Sequence, residues 1–413
     1  MITTAVGIED LHVYPGRAYV DVPSLFEARG LDPSRLPNLM MRRRSVSLPC
    51  EDQVTHAVNA ARPLVDALSP EQREAIELVV VATESGLDFG KPISTYVHDL
   101  LGLPPRCRSF EVKHACYGGT AALQSAAAII AASPAPDARA LVIATDIAGV
   151  AAAGSYFEPS EGAGAVAMLV SRTPDVLRLD LGASGYHTQE VMDTLRPRPD
   201  VDVVNSDLSL LAYLTCLERC FAAYRDRVEG ADIVTTFDHL VFHIPFAGMV
   251  KGAHRTLLRK TKRMAPADID RDFAARVAPS LSYTSQIGNL YSGSLYLALC
   301  SLIDHADFTV ARRIGLFSYG SGCGSEFFSG VVTERAAGRL AARPLARAVE
   351  ERRRLTVAEF DEWSRHTADR AFGVRDAVLD TGPYRSVLDS HVAGRGLLLL
   401  DRIEDFHRVY RWS

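Results

Sequence analysis

The sequence predicts an α/β layered fold made of two similar halves, and three observations carry that expectation. Apolar, β-branched runs alternate with helical stretches along the whole chain, the pattern of strands covered on both faces by helices. The 413 residues are ample for one large core or for two domains packed as one. Finally, one order of features recurs. Cys116 opens a small, apolar helix followed 23 residues on by Arg139-Ala-Leu-Val-Ile-Ala and then by the turn Gly162-Ala-Gly164. Asn289 opens a similar helix followed 23 residues on by Arg312-Arg-Ile-Gly-Leu-Phe and the turn Gly320-Ser-Gly322. The recurrence divides the chain into halves 1–170 and 171–413 and sets Cys116 and Asn289 at matching helix starts beside one cleft. Generic α/β chains also produce such echoes by chance.

In chain order, Asp52–Ala67 reads as a helix and Leu78–Thr83 as a buried strand. Thr120–Ala132 reads as a helix that is apolar on every face, which suits the centre of a domain. Strands follow at Ala140–Thr145 and Ala165–Val170, then a helix at Leu208–Val228 and a strand at Leu240–Ile244. Lys251–Lys260 and Asn289–Asp304 read as helices, Ile314–Tyr319 as a strand, and Val357–Ala371 and Leu397–Asp401 as a closing helix and strand. The Ala/Arg-rich stretch Ala336–Arg354 reads as one exposed helix. Ser133-Pro-Ala-Pro-Asp137 and Arg196-Pro-Arg-Pro-Asp200 read as surface loops.

Composition narrows the function. Hydrophobic content of 47%, charged content of 23% and a net charge of −5 describe an ordinary globular protein and argue against general nucleic-acid binding. No apolar stretch reaches the ~20 residues of a membrane span, and Met1-Ile-Thr-Thr-Ala-Val-Gly lacks the basic and apolar regions of a signal peptide. Seven cysteines without a CxxC pair fit a reducing cytoplasm. Cys216 and Cys220 lack a further Cys or His at ligand spacing, so no metal is expected.

Lys113-His-Ala-Cys-Tyr-Gly-Gly-Thr-Ala121 carries the chemistry. A cysteine at a helix start feels the positive end of the helix dipole, which lowers its pKa and favours the thiolate that attacks acyl carbons. A small buried cysteine is the plain alternative. Glu84 follows an apolar strand in Val79-Val-Val-Ala-Thr-Glu-Ser-Gly86, where a solvated turn is the ordinary reading. His243 lies among apolar residues in Leu240-Val-Phe-His-Ile-Pro-Phe246, where a core histidine is the ordinary reading. The turn in Phe317-Ser-Tyr-Gly-Ser-Gly-Cys-Gly324 leaves backbone N–H groups available.

Ala82-Thr-Glu-Ser85, Ala115-Cys-Tyr-Gly-Gly-Thr-Ala-Ala-Leu123, Ala144-Thr-Asp-Ile-Ala148, Gly162-Ala-Gly-Ala-Val-Ala-Met168, Phe242-His-Ile-Pro-Phe246, Ile287-Gly-Asn-Leu-Tyr291 and Phe317-Ser-Tyr-Gly-Ser-Gly322 occur in one order over nearly the whole chain. Through them the chain resembles the 3-hydroxy-3-methylglutaryl (HMG) synthases of the thiolase superfamily. The resemblance implies the thiolase fold, a five-layered αβαβα domain of two pseudo-equivalent halves, a homodimer, and a Cys–His–Glu set carried by Cys116, His243 and Glu84. Glu190-Val-Met-Asp-Thr-Leu-Arg-Pro197, Asn205-Ser-Asp-Leu-Ser-Leu-Leu211 and Gly248-Met-Val-Lys-Gly-Ala-His-Arg255 look more like the polyketide β-branching members, which take acyl groups from carrier proteins. Ile244, where the family commonly has a small hydroxyl residue, and the alanine-rich loop Ala148 to Glu158 depart from the pattern at the acceptor pocket.

The reaction expected is acetyl transfer from a phosphopantetheine thioester to Cys116, proton abstraction from the acetyl methyl by Glu84, and attack of the enolate on a carrier-bound β-ketone. His243 donates a hydrogen bond and then a proton to the new alcohol, and water hydrolyses the Cys116 thioester. The Cys116 N–H and a donor from the Gly320–Gly322 turn, including Ser321, are expected oxyanion stabilisers. Asn289 is expected to orient the acceptor carbonyl or His243. Tyr117 and Tyr319 are expected to shape the pocket, and Asp207 and Ser209 to face the pantetheine arm. Lys251, Arg255 and Arg259 fall at i, i+4 and i+8 and form a basic stripe for an acidic carrier protein, with Arg42, Arg43 and Arg44 as a second patch; a solvated basic face is the plain alternative for each. No tightly bound cofactor is expected, the thioester arriving on a donor acetyl-acyl carrier protein or coenzyme A, and the partners are that donor and an acceptor carrier protein of a polyketide synthase. The alternatives are the mevalonate-pathway synthase using acetyl-CoA and acetoacetyl-CoA, a ketoacyl synthase, against which Glu84 argues, and an inactive carrier-docking scaffold.

Overall fold

The computed structural model describes residues 5–148, 152–198 and 201–413. Its main strands are β1 (Gly7–Tyr14), β2 (Ile76–Ala82), β3 (Arg108–Val112), β4 (Arg139–Ile147), β5 (Ala163–Ser171) and β6 (Leu177–Thr188). They continue with a hairpin of β7 (Thr194–Arg198) and β8 (Val201–Val204), then β9 (His239–Phe242), β10 (Arg312–Gly320) and β11 (Gly324–Val332). The main helices are α1 (Gln53–Asp66), α2 (Gly118–Ala132), α3 (Ser206–Arg227), α4 (Ala247–Lys262), α5 (Ser294–His305) and α6 (Val357–Ala368).

Among the described residues nine strands form one sheet in the order β9-β10-β11-β6-β1-β5-β4-β2-β3. The order contains the same unit twice. β2 runs parallel to β4, β4 antiparallel to β5, and β5 antiparallel to β1. Likewise β9 runs parallel to β10, β10 antiparallel to β11, and β11 antiparallel to β6. The units meet where β1 pairs β6 over two residue pairs, Gly7 with Arg178 and Ile8 with Leu177. These are the two pseudo-equivalent halves of a thiolase-like fold.

Continuous apolar strands follow from helices on both faces. In β2, Val79 and Val81 pack with Val54, Val58 and Leu64 of α1. Leu78, Val80 and Ala82 face the other way and pack with Ala122, Leu123 and Ala126 of α2. Period-two alternation within one unbroken hydrophobic run thereby serves two helical layers. α1 begins at a capping box in which the Asp52 carboxylate accepts from Thr55 N and Thr55 Oγ1 accepts from Asp52 N, each at 2.8 Å.

Several expectations change. The helix expected from Asn289 begins at Ser294, after a 3₁₀ turn at Tyr291–Gly293, so Asn289 lies in the preceding loop. Ala336–Arg354 is two short helices, Ala336–Ala341 and Leu345–Glu350, ending in a strand at Arg353–Leu355 that pairs with Ala18–Val20; Pro344 separates the helices because it cannot donate within the first one. Arg196–Arg198 is strand β7 rather than a loop, while Pro199 and Asp200 lie outside the described residues. Nor is α2 buried on every side. Ala115–Ala132 is apolar and long enough to cross a membrane by composition alone, but Ala122, Leu123, Ala126, Ala127 and Ile130 are core residues while Ser125, Ala128 and Ala132 are exposed.

Candidate active site

The C-terminal ends of β2, β4, β9 and β10 converge on a cleft of about 1510 Å³. Glu84, Cys116 and His243 all line it, together with Asn289, Tyr319, Ser321, Asp207 and Ser209. Three backbone features present the cysteine. Ala115 is left-handed, with φ of 40°, a strained conformation for a residue with a Cβ. Gly119 follows where a Cβ would lie 2.2 Å from the Ser292 carbonyl oxygen, and Gly320 lies where a Cβ would be 2.5 Å from Tyr117 N. Cys116 is thus held against two segments of the second half, and only glycine permits the approach. The echo has a structural basis here: Gly288, with φ of 96°, precedes Asn289 as Ala115 precedes Cys116. Asn289 itself bridges the halves, its N–H donating to Ser160 O at 2.8 Å and its carbonyl accepting from Gly162 N at 3.0 Å.

Side-chain partners define the donors. The Asn289 amide oxygen accepts from Tyr291 N at 2.9 Å and Ser294 Oγ at 2.5 Å, which assigns its NH₂ group as the cleft-facing donor. His243 is held at both backbone groups, its N–H donating to Phe317 O at 2.7 Å and its carbonyl accepting from Tyr213 Oη at 2.8 Å. Tyr319 lines the cleft and donates to Asp193 at 2.7 Å. Gly322 N–H is also taken by Asp193, at 2.9 Å, which removes it as an oxyanion donor and leaves Ser321 of that turn.

Electrostatics alter one expectation outright. The Cys116 thiol is pushed well above its ordinary value, first by burial and then by the Glu84 and Asp146 carboxylates. A helix terminus contributes only about 0.3–1 kcal/mol, too little to offset a desolvated thiolate beside two acids, so the resting group is the thiol. Burial, reinforced by Asp146, raises Glu84 to about 8; it keeps some surface on the cleft, but the walls around it exclude most of its hydration. Burial lowers His243 to about 3, so its imidazole is neutral at pH 7, and its Nδ1 is buried without a partner among the described residues.

Residue-by-residue sequence reasoning missed Asp146. Fully buried at the end of β4, its carboxylate accepts from Thr83 Oγ1 (2.9 Å), Glu84 N (2.8 Å), Ser85 N (3.2 Å) and Ser85 Oγ (2.9 Å) on one oxygen. Ser292 N (3.1 Å) and Ser292 Oγ (2.5 Å) hold the other. Asp146 therefore fixes the turn bearing Glu84 to the second half. The available signal was an aspartate ending the apolar run Ala140–Thr145. Arg196 was missed as well: on β7 it pairs with Asp202 at 2.6 Å, lies 5.6 Å over the Tyr291 ring and lines the cleft.

Other expected positions lie elsewhere. Tyr117 does not line the cleft; its hydroxyl donates to Glu326 at 2.9 Å. Arg44 is fully buried, donating to Glu158 O at 2.6 Å beneath the Phe360 ring, so it cannot meet a partner. Arg43 stacks over Tyr19, and Arg42 is exposed. Lys251, Arg255 and Arg259 share an exposed face of α4, whose first turn reaches the cleft through Met249. The loop Ala148 to Glu158 lies partly outside the described residues.

Two family models match nearly the whole chain: the hydroxymethylglutaryl-coenzyme A synthase N-terminal model over residues 3–175 and the C-terminal model over 177–271 and 256–408. The chain belongs to the hydroxymethylglutaryl-coenzyme A synthase family. Within that family it is similar to the polyketide biosynthesis 3-hydroxy-3-methylglutaryl-ACP synthase PksG of Bacillus subtilis (strain 168), 46% identical over 417 residues and covering 99% of each chain. It is also similar to the crystal structure of the HMG synthase of the curacin biosynthetic pathway, with a TM-score of 0.95 and 49% identity over 99% of this chain and 100% of that one. The hydroxymethylglutaryl-CoA synthase of Enterococcus faecalis is 37% identical over 369 residues, 88% of this chain and 92% of that one. This HMG synthase family member is an acyltransferase of the polyketide β-branching type with the thiolase-like fold.

Proposed function

We propose that Cys116 takes an acetyl group from a donor acyl carrier protein and that the enzyme adds it to the β-ketone of a chain held on an acceptor carrier protein. The convergence of Glu84, Cys116 and His243 on one cleft carries the reading. The Cys116 thiol gives up its proton as sulfur attacks the donor thioester, and the departing pantetheine sulfur takes a proton up. Glu84, basic because it is desolvated, removes a proton from the acetyl methyl, and the new carbon–carbon bond forms between that carbon and the acceptor β-carbon. The developing alkoxide receives a hydrogen bond and then a proton from His243, the imidazole regaining the proton that Glu84 took from the methyl, with the Asn289 NH₂ group orienting the acceptor carbonyl. Cys116 N–H and Ser321 stabilise the thioester oxyanions, and water then cleaves the acetyl-derived thioester to a free carboxylate.

Carrier delivery is supported by crystal structures of the curacin HMG synthase in complex with holo and acetyl donor-ACP, which match this chain at 49% and 48% identity. Asp207 and Ser209 line the cleft beside α4, where they meet the pantetheine arm, while Arg255 and Arg259 face an acidic carrier surface. A homodimer is supported by β3, whose outer edge is unpaired among the described residues, and by the exposed small residues of neighbouring α2. Seven free thiols support the reducing cytoplasm.

Intact-mass measurement after separate exposure to acetyl-carrier protein and acetyl-CoA tests the reading. A rapid acetyl adduct on Cys116 from the carrier is expected. An adduct from acetyl-CoA alone would instead favour the mevalonate-type synthase, and none from either would overturn the mechanism.

A further inference from the structure

Two donors lining the cleft have no protein acceptor and no part in the steps above. Arg196 of β7 directs Nε and Nη2 at Asp202 of β8, at 2.6 and 3.3 Å, and its Nη1 has no partner among the described residues. The side chain is 18% exposed and lines the cleft. Tyr291 also lines the cleft, with the Arg196 guanidinium carbon 5.6 Å from its ring centroid. The Tyr291 hydroxyl is buried and makes no hydrogen bond of ordinary geometry among the described residues, although Glu161 is near enough for the phenol to help draw that carboxyl down. Burial, and then Glu161, pushes the phenol well above its ordinary value, so the group is a protonated donor. A buried hydroxyl left unpaired costs stability, and a ligand that completes it is a physical reason for keeping it.

We propose that Arg196 Nη1 and Tyr291 Oη bind the carboxylate released from Cys116, and so serve the hydrolytic step that ends the cycle. The assignment deepens the function proposed above and rests on it. In that step water adds to the thioester carbonyl carbon and the carbon–sulfur bond breaks. Sulfur takes one proton of the water, the acid's proton leaves to solvent, and a carboxylate appears where a neutral thioester stood. Glu84 and Asp146 already push the Cys116 thiol up, whereas Arg196 draws it down. A further negative charge at that place is repelled by both carboxylates unless a cation meets it. Arg196 has the planar N–H geometry that suits a carboxylate, and Asp202 fixes its orientation. Tyr291 is fixed likewise, with φ of 49° and its N–H donating to the Asn289 amide oxygen at 2.9 Å. Arg408, which also lines the cleft, is by contrast taken by Asp52 at 3.0 Å and by the carbonyls of Arg370 and Ala371, each at 2.5 Å.

Condensation leaves the acceptor carrier joined to Cys116 through the new acyl group, and hydrolysis frees it. The enzyme is given acetyl-carrier protein and acetoacetyl-carrier protein, quenched in acid and weighed intact. Tyr291→Phe removes only the hydroxyl, while Arg196→Lys keeps the charge but loses the fork held by Asp202. Each variant is expected to accumulate the covalent enzyme–carrier conjugate at least tenfold above wild type and to release product more slowly. Tyr291→Phe should also keep or raise Tm, since the hydroxyl it removes is unpaired. Accumulation of acetyl-enzyme in place of the conjugate, conjugate at the wild-type level in either variant, or a lower Tm for Tyr291→Phe would overturn the assignment. Cys116 acetylation is read in the same spectra, and its absence from wild type would defeat the proposed function itself.

Discussion

Glu84 is the residue on which the pH behaviour turns. In the proposed mechanism its active form is the carboxylate and its pKa is raised to about 8, so the condensation step should rise with pH through 8 and fall toward tenfold per unit below it. Single-turnover condensation of pre-acetylated enzyme between pH 6 and 9 checks this; a flat profile would place the base elsewhere. The same shift has a stability sign. Between the ordinary value of 4.5 and about 8 the folded protein holds a proton that the unfolded chain has released, so this site's contribution to stability falls as pH rises across that window. Glu84→Gln should therefore acetylate, fail to condense, and exceed wild type in Tm by a margin that grows from pH 5 to pH 9. Asp146→Asn keeps the shape but replaces acceptor oxygen by NH₂ among six donors. We expect a loss of about 1–3 kcal/mol for each donor left unsatisfied, and a condensation profile displaced to lower pH because Asp146 helps raise Glu84. Thermal melts and the same pH series separate these effects.

At the scale of elements, the approach of α2 to the second half decides whether Cys116 is presented at all. Gly119→Ala would set a Cβ 2.2 Å from the Ser292 carbonyl, and overpacking of backbone against backbone costs typically 1–3 kcal/mol or more. Loss of Tm together with slowed Cys116 acetylation is the expected result. Gly252 of α4 is the contrast, since a Cβ there meets nothing within 4 Å and Gly252→Ala should stabilise by about 0.5–1 kcal/mol. Strands and helices with long apolar runs were legible in the sequence within a few residues: Ala140–Thr145 lies within β4, and Val357–Ala371 overlaps α6. β1, β6 and β11 were not. β6 has exposed and half-buried positions over most of its length, so its pattern lacks the unbroken apolar run that marks β2. The β7–β8 hairpin was obscured by Pro197 and Pro199, which read as turn signals although Arg196 in that strand faces the cleft.

For the whole molecule, the repeated strand unit places two loops against each other, and the proposed catalytic set belongs to neither half alone: Glu84 and Cys116 come from one and His243 and Asn289 from the other. The unpaired edge of β3 predicts self-association. Light scattering should give twice the chain mass of 44.9 kDa; a mass of one chain would remove the homodimer. Carrier docking belongs to this scale too. Reversing the charge of Arg255 and Arg259 should raise the KM for acetyl-carrier protein while leaving acetylation by acetyl-pantetheine unchanged, and the difference should shrink at high salt.

By itself the sequence determined the layered α/β class and the family, and pointed to Cys116, Glu84 and His243, because apolar periodicity and local motifs are written in neighbouring residues. Tertiary structure alone decided the protonation states. Desolvation and the nearness of Asp146 are set by segments far apart in the chain, and they push the Cys116 thiol and the Glu84 carboxyl up while burial pushes the His243 imidazole down. It also decided which arginines face solvent, burying Arg44 while leaving Arg255 exposed, since burial depends on what packs above a residue rather than on its type.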